Sequence, residues 1–187
     1  MPGIGKRTAL RLALHLLKEN ETNVKNLADA LVEMRQNIRF CKRCNNISDT
    51  EVCEICSNAR RDENTICIVE DTRDVLAIEN TAQYNGLYHV LGGIINPIEG
   101  IGANDLSISQ LMKRFSEEDI KEVIFALPAT VEGDTTSFYL YKLMRPFNIK
   151  ITAIARGVAV GNELEYTDEI TLGRSILNRL PFKSDNS

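Results

Sequence analysis

Four cysteines carry the strongest chemical signal in the chain: Cys41, Cys44, Cys53 and Cys56, spaced C-x2-C-x8-C-x2-C. A CxxC pair lets two thiolates from one tight turn reach a single ion, and two such pairs close a tetrahedron. No histidine lies between the pairs, so the set reads as one four-thiolate Zn2+ site. Four protein ligands leave no open position for a substrate, so the expected role of the zinc is structural and not catalytic. The fifth cysteine, Cys67, stands in an apolar run and reads as a buried strand residue. Paired CxxC motifs fit a reducing cytoplasm better than a disulfide framework.

A second signal opens the chain. In Pro2-Gly3-Ile4-Gly5-Lys6-Arg7 a Gly-x-Gly pair stands ahead of a basic, helix-patterned stretch. Glycines there let backbone N–H groups approach a phosphate, and the helix dipole favours the anion. Gly3, Gly5, Lys6, Arg7 and Arg11 are therefore candidate phosphate-binding residues, the alternative being a plain turn with a solvated basic face. The hexapeptide resembles the hairpin of a helix-hairpin-helix motif, which grips DNA phosphates without reading sequence. Such a motif has a helix before its hairpin, whereas here the hairpin stands at Met1. The expectation is a truncated chain, a start assigned late, or an incomplete motif.

The third signal is acidic. Glu70, Asp71 and Asp74 follow one short apolar run, and Glu132-Gly133-Asp134 follows another. Carboxylates at the C-terminal ends of parallel strands converge on one sheet edge, where such folds place ligands. Mg2+ held by oxygen would suit that edge, although it is the weaker cofactor expectation beside Zn2+. Asp71, Asp74, Glu132 and Asp134 also fall near expected helix starts, where the dipole favours carboxylates. Capping is the preferred reading for Asp74 and Asp134, while Glu70 and Glu132 are kept as candidate ligands. The tyrosines, Tyr84, Tyr88, Tyr139, Tyr141 and Tyr166, have no visible activating partner and read as strand or helix aromatics.

These groups must be positioned by a chain of 187 residues, enough for one or two domains with a real core. At 43% hydrophobic and 26% charged, the composition is that of an ordinary globular protein. No apolar run approaches the ~20 residues of a membrane span, and no secretory leader is expected. The net charge of −4 argues against a nucleic-acid partner until its distribution is considered. Residues 1–61 hold eleven Lys/Arg against seven Asp/Glu, a balance of +4; the remainder holds eleven against nineteen, a balance of −8. The basic groups thus accompany the hairpin and the cysteines, where a phosphate backbone would dock.

Ala9, Leu10, Ala13, Leu16 and Leu17 recur at helical spacing over residues 6–18, and Leu27, Leu31 and Met34 mark a second helix capped by Thr22 or Asn23. After the cysteines, the run Arg60-Arg61-Asp62-Glu63-Asn64 reads as a solvated link. From there strands (Ile66–Val69, Tyr88–Leu91, Glu122–Leu127, Lys150–Ala155) alternate with helices (Thr72–Asn80, Ser107–Phe115, Glu132–Leu143). A Gly/Asn/Pro-rich loop spans Gly92 to Asp105. The fold class is α/β, with a mainly parallel sheet and helices on both faces. Thr171–Leu180 reads as a last helix, and a disordered tail is expected from Lys183.

Several stretches follow one another in a telling order. PGIGKR and the four-cysteine finger come first, then Val69-Glu70, Gly92-Gly93 to Gly100-Ile101-Gly102, and Thr130-Val131-Glu132-Gly133. Arg156-Gly157-Val158 to Glu163-Leu164-Glu165-Tyr166 closes the series. This order resembles the RecR family of bacterial recombination mediators over essentially the full chain. CEICSNARRDENTICIVED and GVAVGNELEYTDEITLGRSI are the most specific matches. The resemblance implies a helical, partial helix-hairpin-helix region over 1–38, a four-cysteine zinc finger over 39–60, a Toprim domain over 64–156, and a C-terminal segment over 157–187 that makes oligomer contacts. It implies that Cys41, Cys44, Cys53 and Cys56 bind zinc, that Gly3, Gly5, Lys6 and Arg7 meet DNA, and that Glu70 and Glu132 match acidic Toprim positions in a region used for partner contacts.

The implied function is a non-enzymatic DNA clamp and adaptor in recombinational repair, active in the cytoplasm at the nucleoid. Such proteins form dimers or tetrameric rings that encircle DNA. With RecO and RecF they help load RecA on single strands coated by the single-strand-binding protein. Catalytic Toprim domains hold Mg2+ with an Asp-x-Asp pair after the third strand, where this chain has Pro128-Ala129-Thr130. The competing readings are a Mg-dependent Toprim enzyme acting on nucleic acid and a zinc-stabilised interaction module without a DNA role. In this order of parts, the finger is expected to brace the hairpin against the acidic domain.

Overall fold

The computed structural model describes residues 3–158, 161, 163–179 and 181. The tail from Lys183 lies outside the described residues. Two helices come first, α1 (Lys6–Leu16) and α2 (Glu21–Asn37). The second starts earlier than its sequence suggests. Asn20, in extended backbone, is the cap, and its side-chain oxygen accepts from the Asn23 N–H at 2.7 Å. Asn23 already lies within the first turn, where its backbone N–H is the one capped, and its side-chain amide donates to Glu19 at 3.0 Å. Neither helix buries a single side chain.

The finger follows as a two-stranded antiparallel ribbon, β1 (Arg39–Phe40) with β2 (Ile47–Ser48), and one helical turn, α3 (Glu54–Ser57). The expected linker after it does not exist. Strand β3 (Asp62–Val69) already begins inside that run, and Arg61 makes a two-pronged ion pair with Glu79 while donating to the Gly86 carbonyl at 3.3 Å. A forked guanidinium facing a carboxylate is a tie, not a solvated spacer.

Beyond β3 come α4 (Thr72–Glu79), β4 (Gly86–Val90), α5 (Ile108–Glu117), β5 (Glu122–Ala126), α6 (Val131–Met144), β6 (Lys150–Ala153) and α7 (Glu169–Leu177). The four long strands form one parallel sheet in the order β4-β3-β5-β6. Strand alternation splits the core in two. Ile66 and Ile68 face Ile108, Leu111 and Phe115 of α5 and Leu140 and Met144 of α6. Cys67 and Val69 face Val75 of α4, with Ile55 of the finger packed against the same cluster. Helices thus cover both faces, and the finger contributes to the second. Cys67 is buried in its strand, as its apolar run implied.

Candidate metal centre, basic hairpin and acidic edge

Ribbon and turn bring the cysteine sulfurs together: one ligand atom from each of Cys41, Cys44, Cys53 and Cys56 lies within 4.8 Å of the others, and all four residues are buried. Cys44 Sγ and Cys53 Sγ are 3.6 Å apart. A tetrahedron with metal–sulfur bonds of about 2.3 Å has edges near ~3.8 Å, so the donor set fits zinc. Hydrogen bonding to Cys53 and Cys56 and burial push the Cys44 thiol well above the usual range. A dication reverses that balance by stabilising thiolates.

The CxxC turns are themselves well tied. The Cys41 N–H donates to the Asn46 carbonyl at 2.8 Å, and the Asn45 N–H donates to the Cys41 carbonyl at 2.9 Å. Asn45 stands in the left-handed region, with φ of 61°, a conformation that asparagine tolerates better than most residues. Three groups of contacts bolt this loop onto the sheet domain. The Asn45 amide donates to the Val90 carbonyl at 2.9 Å, and Gln110 donates to the Lys42 carbonyl at 2.6 Å. Arg43 forks onto Glu118 at 3.0 and 3.3 Å and reaches the Cys56 carbonyl at 3.2 Å. Glu118 also takes Arg114, which is 4% exposed and donates to the Tyr88 carbonyl at 2.8 Å. Burial pushes the Glu118 carboxyl up, but the bonds from Arg43 and Arg114 outweigh it and hold it below the usual range. The finger is therefore part of the sheet domain. The expected brace toward the hairpin has only one half in this structure, because α1 and α2 bury nothing.

At the hairpin, Gly3 has a φ of +73°, and Gly5, in extended backbone, stands at the N-cap of α1. A Cβ added at either glycine would meet open space, so crowding within the chain is not what keeps the surface bare. Lys6, Arg7 and Arg11 are exposed and make no ion pair among the described residues. These groups are free to meet an anion.

The acidic edge assembles where expected, at the C-terminal ends of β3 and β5. Glu70 directly follows β3, half-buried, and burial followed by the nearby Asp74 and Asp71 raises its carboxyl pKa. Asp71 and Asp74 are spoken for by a capping box: Asp74 accepts from the Asp71 N–H at 3.0 Å, and Asp71 accepts from the Arg73 N–H at 2.6 Å. Glu132 lies in the first turn of α6. Asp134 does not cap, contrary to its sequence position. Thr130 is the cap, accepting from Gly133 N–H at 3.1 Å, and Asp134 instead holds Arg156 at 2.6 Å and Arg174 at 3.6 Å. Gly133 makes this turn possible, since a Cβ there would lie 2.0 Å from the Pro128 carbonyl oxygen. Among the described residues the cysteines are the one group of three or more His, Cys, Asp or Glu gathered closely enough to share an ion; Glu70 and Glu132 do not form such a group.

Sequence reasoning missed the Arg43–Glu118–Arg114 network and the Arg156/Arg174 pair on Asp134. Their partners are 75, 22 and 40 residues apart, apart from the local Arg114–Glu118 step. No local spacing announces such contacts. Tyr88 does have a partner, donating to Glu79 at 2.7 Å; this bond lies in the Arg61 tie and activates nothing.

Fold and sites define a Toprim-type α/β protein that carries a four-cysteine finger and a helix-hairpin-helix region. Residues 64–155 match the Toprim domain profile. Residues 1–35 match the helix-hairpin-helix of RecR, 38–58 its four-cysteine zinc finger domain and 157–180 its C-terminal segment. The chain is 60% identical over 183 residues to Recombination protein RecR of Flavobacterium johnsoniae, covering 98% of this chain and 89% of that protein. It is 56% identical to that of Porphyromonas gingivalis, covering 97% and 88%, and 54% identical to that of Bacteroides thetaiotaomicron, covering 97% and 89%. The chain belongs to the RecR family.

Proposed function

We propose that the protein is a non-enzymatic DNA-binding clamp and adaptor in recombinational DNA repair. In this reading it works with RecO and RecF to help load RecA on single strands coated by the single-strand-binding protein. Cys41, Cys44, Cys53 and Cys56 hold a structural Zn2+. Gly3, Gly5, Lys6, Arg7 and Arg11 meet phosphates without reading bases, and Glu70 and Glu132 face protein partners. The domain divisions follow the family: 1–38, 39–60, 64–156 and 157–187. The work takes place in the cytoplasm at the nucleoid; no helix among the described residues is long and apolar enough to cross a membrane.

The observation that carries the reading is the pairing of an unneutralised basic hairpin with two helices that have apolar stripes but no cover among the described residues. Leu10 is 59% exposed, and Leu27, Leu31 and Met34 are also in water. Apolar surface of that extent marks an association site, and a second copy presenting the same faces would bury it isologously. A dimer, or a ring of four, then lines up several hairpins along one duplex.

Lys6→Ala with Arg7→Ala tests the contact. Binding to a duplex of arbitrary sequence is expected to weaken, and the slope of log affinity against log salt to fall by about two, one for each phosphate no longer neutralised. Unchanged affinity would remove the hairpin from the interface. A Mg-dependent Toprim enzyme is the weaker reading, since Pro128-Ala129-Thr130 supply no carboxylate. In addition, Asp71, Asp74 and Asp134 are engaged elsewhere. Mg2+-dependent cleavage or relaxation of DNA that vanishes in Glu132→Gln would reinstate it.

A further inference from the structure

The last residue of β4 is a junction. The Val90 N–H donates to the carbonyl of Cys44 at 2.8 Å, and the Val90 carbonyl accepts from the Asn45 side chain at 2.9 Å and from Ser107 at 2.6 Å. Two residues on, the Gly92 N–H donates to the carbonyl of Glu70 at 2.9 Å, and between them the Leu91 N–H donates to Val69 at 3.0 Å. One short stretch of backbone therefore holds a finger cysteine on one side and the acidic edge on the other. A second thread runs in parallel. Asn46, buried at 8% exposure, accepts from the Thr72 hydroxyl at 2.8 Å. Thr72 is the first residue of α4, next to the Asp71–Asp74 capping box that flanks Glu70.

Both threads start in the turn that the cysteines shape. Asn45 is held in its left-handed conformation by its bond to the Cys41 carbonyl, and Asn46 returns a carbonyl to Cys41 N–H. The half-buried Glu70 side chain has no hydrogen-bond partner among the described residues, so no side-chain bond holds it independently of the backbone that carries it. Helices α1 and α2 share no such tie to the turn, since every hydrogen bond made by their side chains among the described residues is local.

We propose that the metal-loaded finger, through Asn45 and Asn46, is the positioning element of the acidic edge, so that metal occupancy governs how Glu70 is presented and leaves the basic hairpin untouched. Four buried thiols without an ion do not hold one conformation, because metal binding and local folding are the same equilibrium. When the turn loosens, Val90 N–H and the Thr72 hydroxyl lose their acceptors first, and the strand end and the start of α4 open as a local unit. The consequence for partners rests on the reading of Glu70 as a partner contact; the structural coupling does not.

The test is amide hydrogen exchange on the whole chain, zinc-loaded, then stripped with a chelator, then reloaded. Exchange at Val90, Gly92, Arg73 and Asp74 is expected to rise at least about ten-fold on stripping and to recover on reloading, with α1, α2 and β5 unchanged. In the loaded protein, Thr72→Val should speed exchange at Arg73 and Asp74 by about five-fold, the worth of one ordinary hydrogen bond, without altering the zinc content. Thr72→Ser should restore it, and in the stripped protein Thr72→Val should add nothing. Edge amides that ignore the metal overturn the proposal, as does a uniform rise across the sheet or an equal effect of Thr72→Val with and without zinc. Binding of RecO, measured on the same samples, separates the two readings. A relaxed edge that binds RecO as before keeps the coupling and removes Glu70 from the partner surface.

Discussion

Residues 6–37 and residues 39–153 are built from comparable apolar periodicity and end in opposite states. The sheet domain takes Ile66, Ile68, Leu111 and Leu140 to complete burial on one face, and the finger packs Ile55 against the cluster on the other. The helical region leaves Leu10, Leu27, Leu31 and Met34 in water. Patterning specifies that a face will be covered but not by what. The sheet covers its faces with its own crossovers, because each parallel connection must return a helix across the sheet. Two short helices have no such obligation, and among the described residues their apolar faces stay uncovered. The cations also differ in use: Lys6, Arg7 and Arg11 at the hairpin pair with no carboxylate among the described residues, whereas Arg43, Arg61 and Arg114, which tie the finger and sheet together, are each spent on one.

The comparison predicts that damage inside residues 39–153 will destabilise the protein and damage before it will not. The largest effect belongs to Cys44→Ser. Zinc content by metal analysis should fall from one ion per chain to near zero, with loss of metal-binding free energy on the order of 10 kcal/mol. Equal melting temperatures with and without stoichiometric zinc would break the claim that the finger belongs to the folded unit. Gly133→Ala comes next. Its Cβ would strike the Pro128 carbonyl backbone, and urea titration should register a loss of about 3 kcal/mol; a loss under about 1 kcal/mol would mean that α6 shifts freely.

Glu118→Gln strands the buried Arg114 and should cost a similar or somewhat smaller amount, about 3 kcal/mol at most. Its pH dependence has a definite sign. Because the folded-state carboxyl sits below its unfolded value, its contribution is present above the unfolded carboxylate pKa and is lost as pH falls through the folded one. Wild-type stability should therefore drop in acid more steeply than that of Glu118→Gln, as denaturant titrations across that range would register. The smallest effect on folding is expected for Leu10→Asp with Leu31→Asp, within about 0.5 kcal/mol in unfolding experiments. The same pair should shift the mass measured by light scattering toward one chain. A large folding defect with unchanged mass would reverse the comparison.

Much of this is legible in the chain. CxxC repeated at short range implies one tetrahedral site, because four thiolates on two tight turns can hardly avoid each other. Strand–helix alternation from Ile66 implies the parallel sheet, and Glu70 and Glu132 reach its C-terminal edge because a parallel sheet sends all such ends one way. Other features are hidden for physical reasons. Asn20 takes the cap from Thr22 and Asn23 because backbone geometry, not residue type alone, selects a cap. The run at Arg60–Asn64 looks solvated because five polar residues in a row usually are. Arg61 is half-buried against Glu79, which the sequence places 18 residues away.

What the amino-acid sequence determined alone is whatever local spacing can enforce: the metal's ligand set, the basic hairpin, the period of each element and the topology class. Tertiary structure alone decided to which body the finger belongs. Its ties to Val90, Thr72, Gln110 and Glu118 join positions 26 to 75 residues apart, and such pairings exist only after the sheet has formed. The finger therefore belongs to the acidic edge it touches and not to the basic helices it follows in the chain.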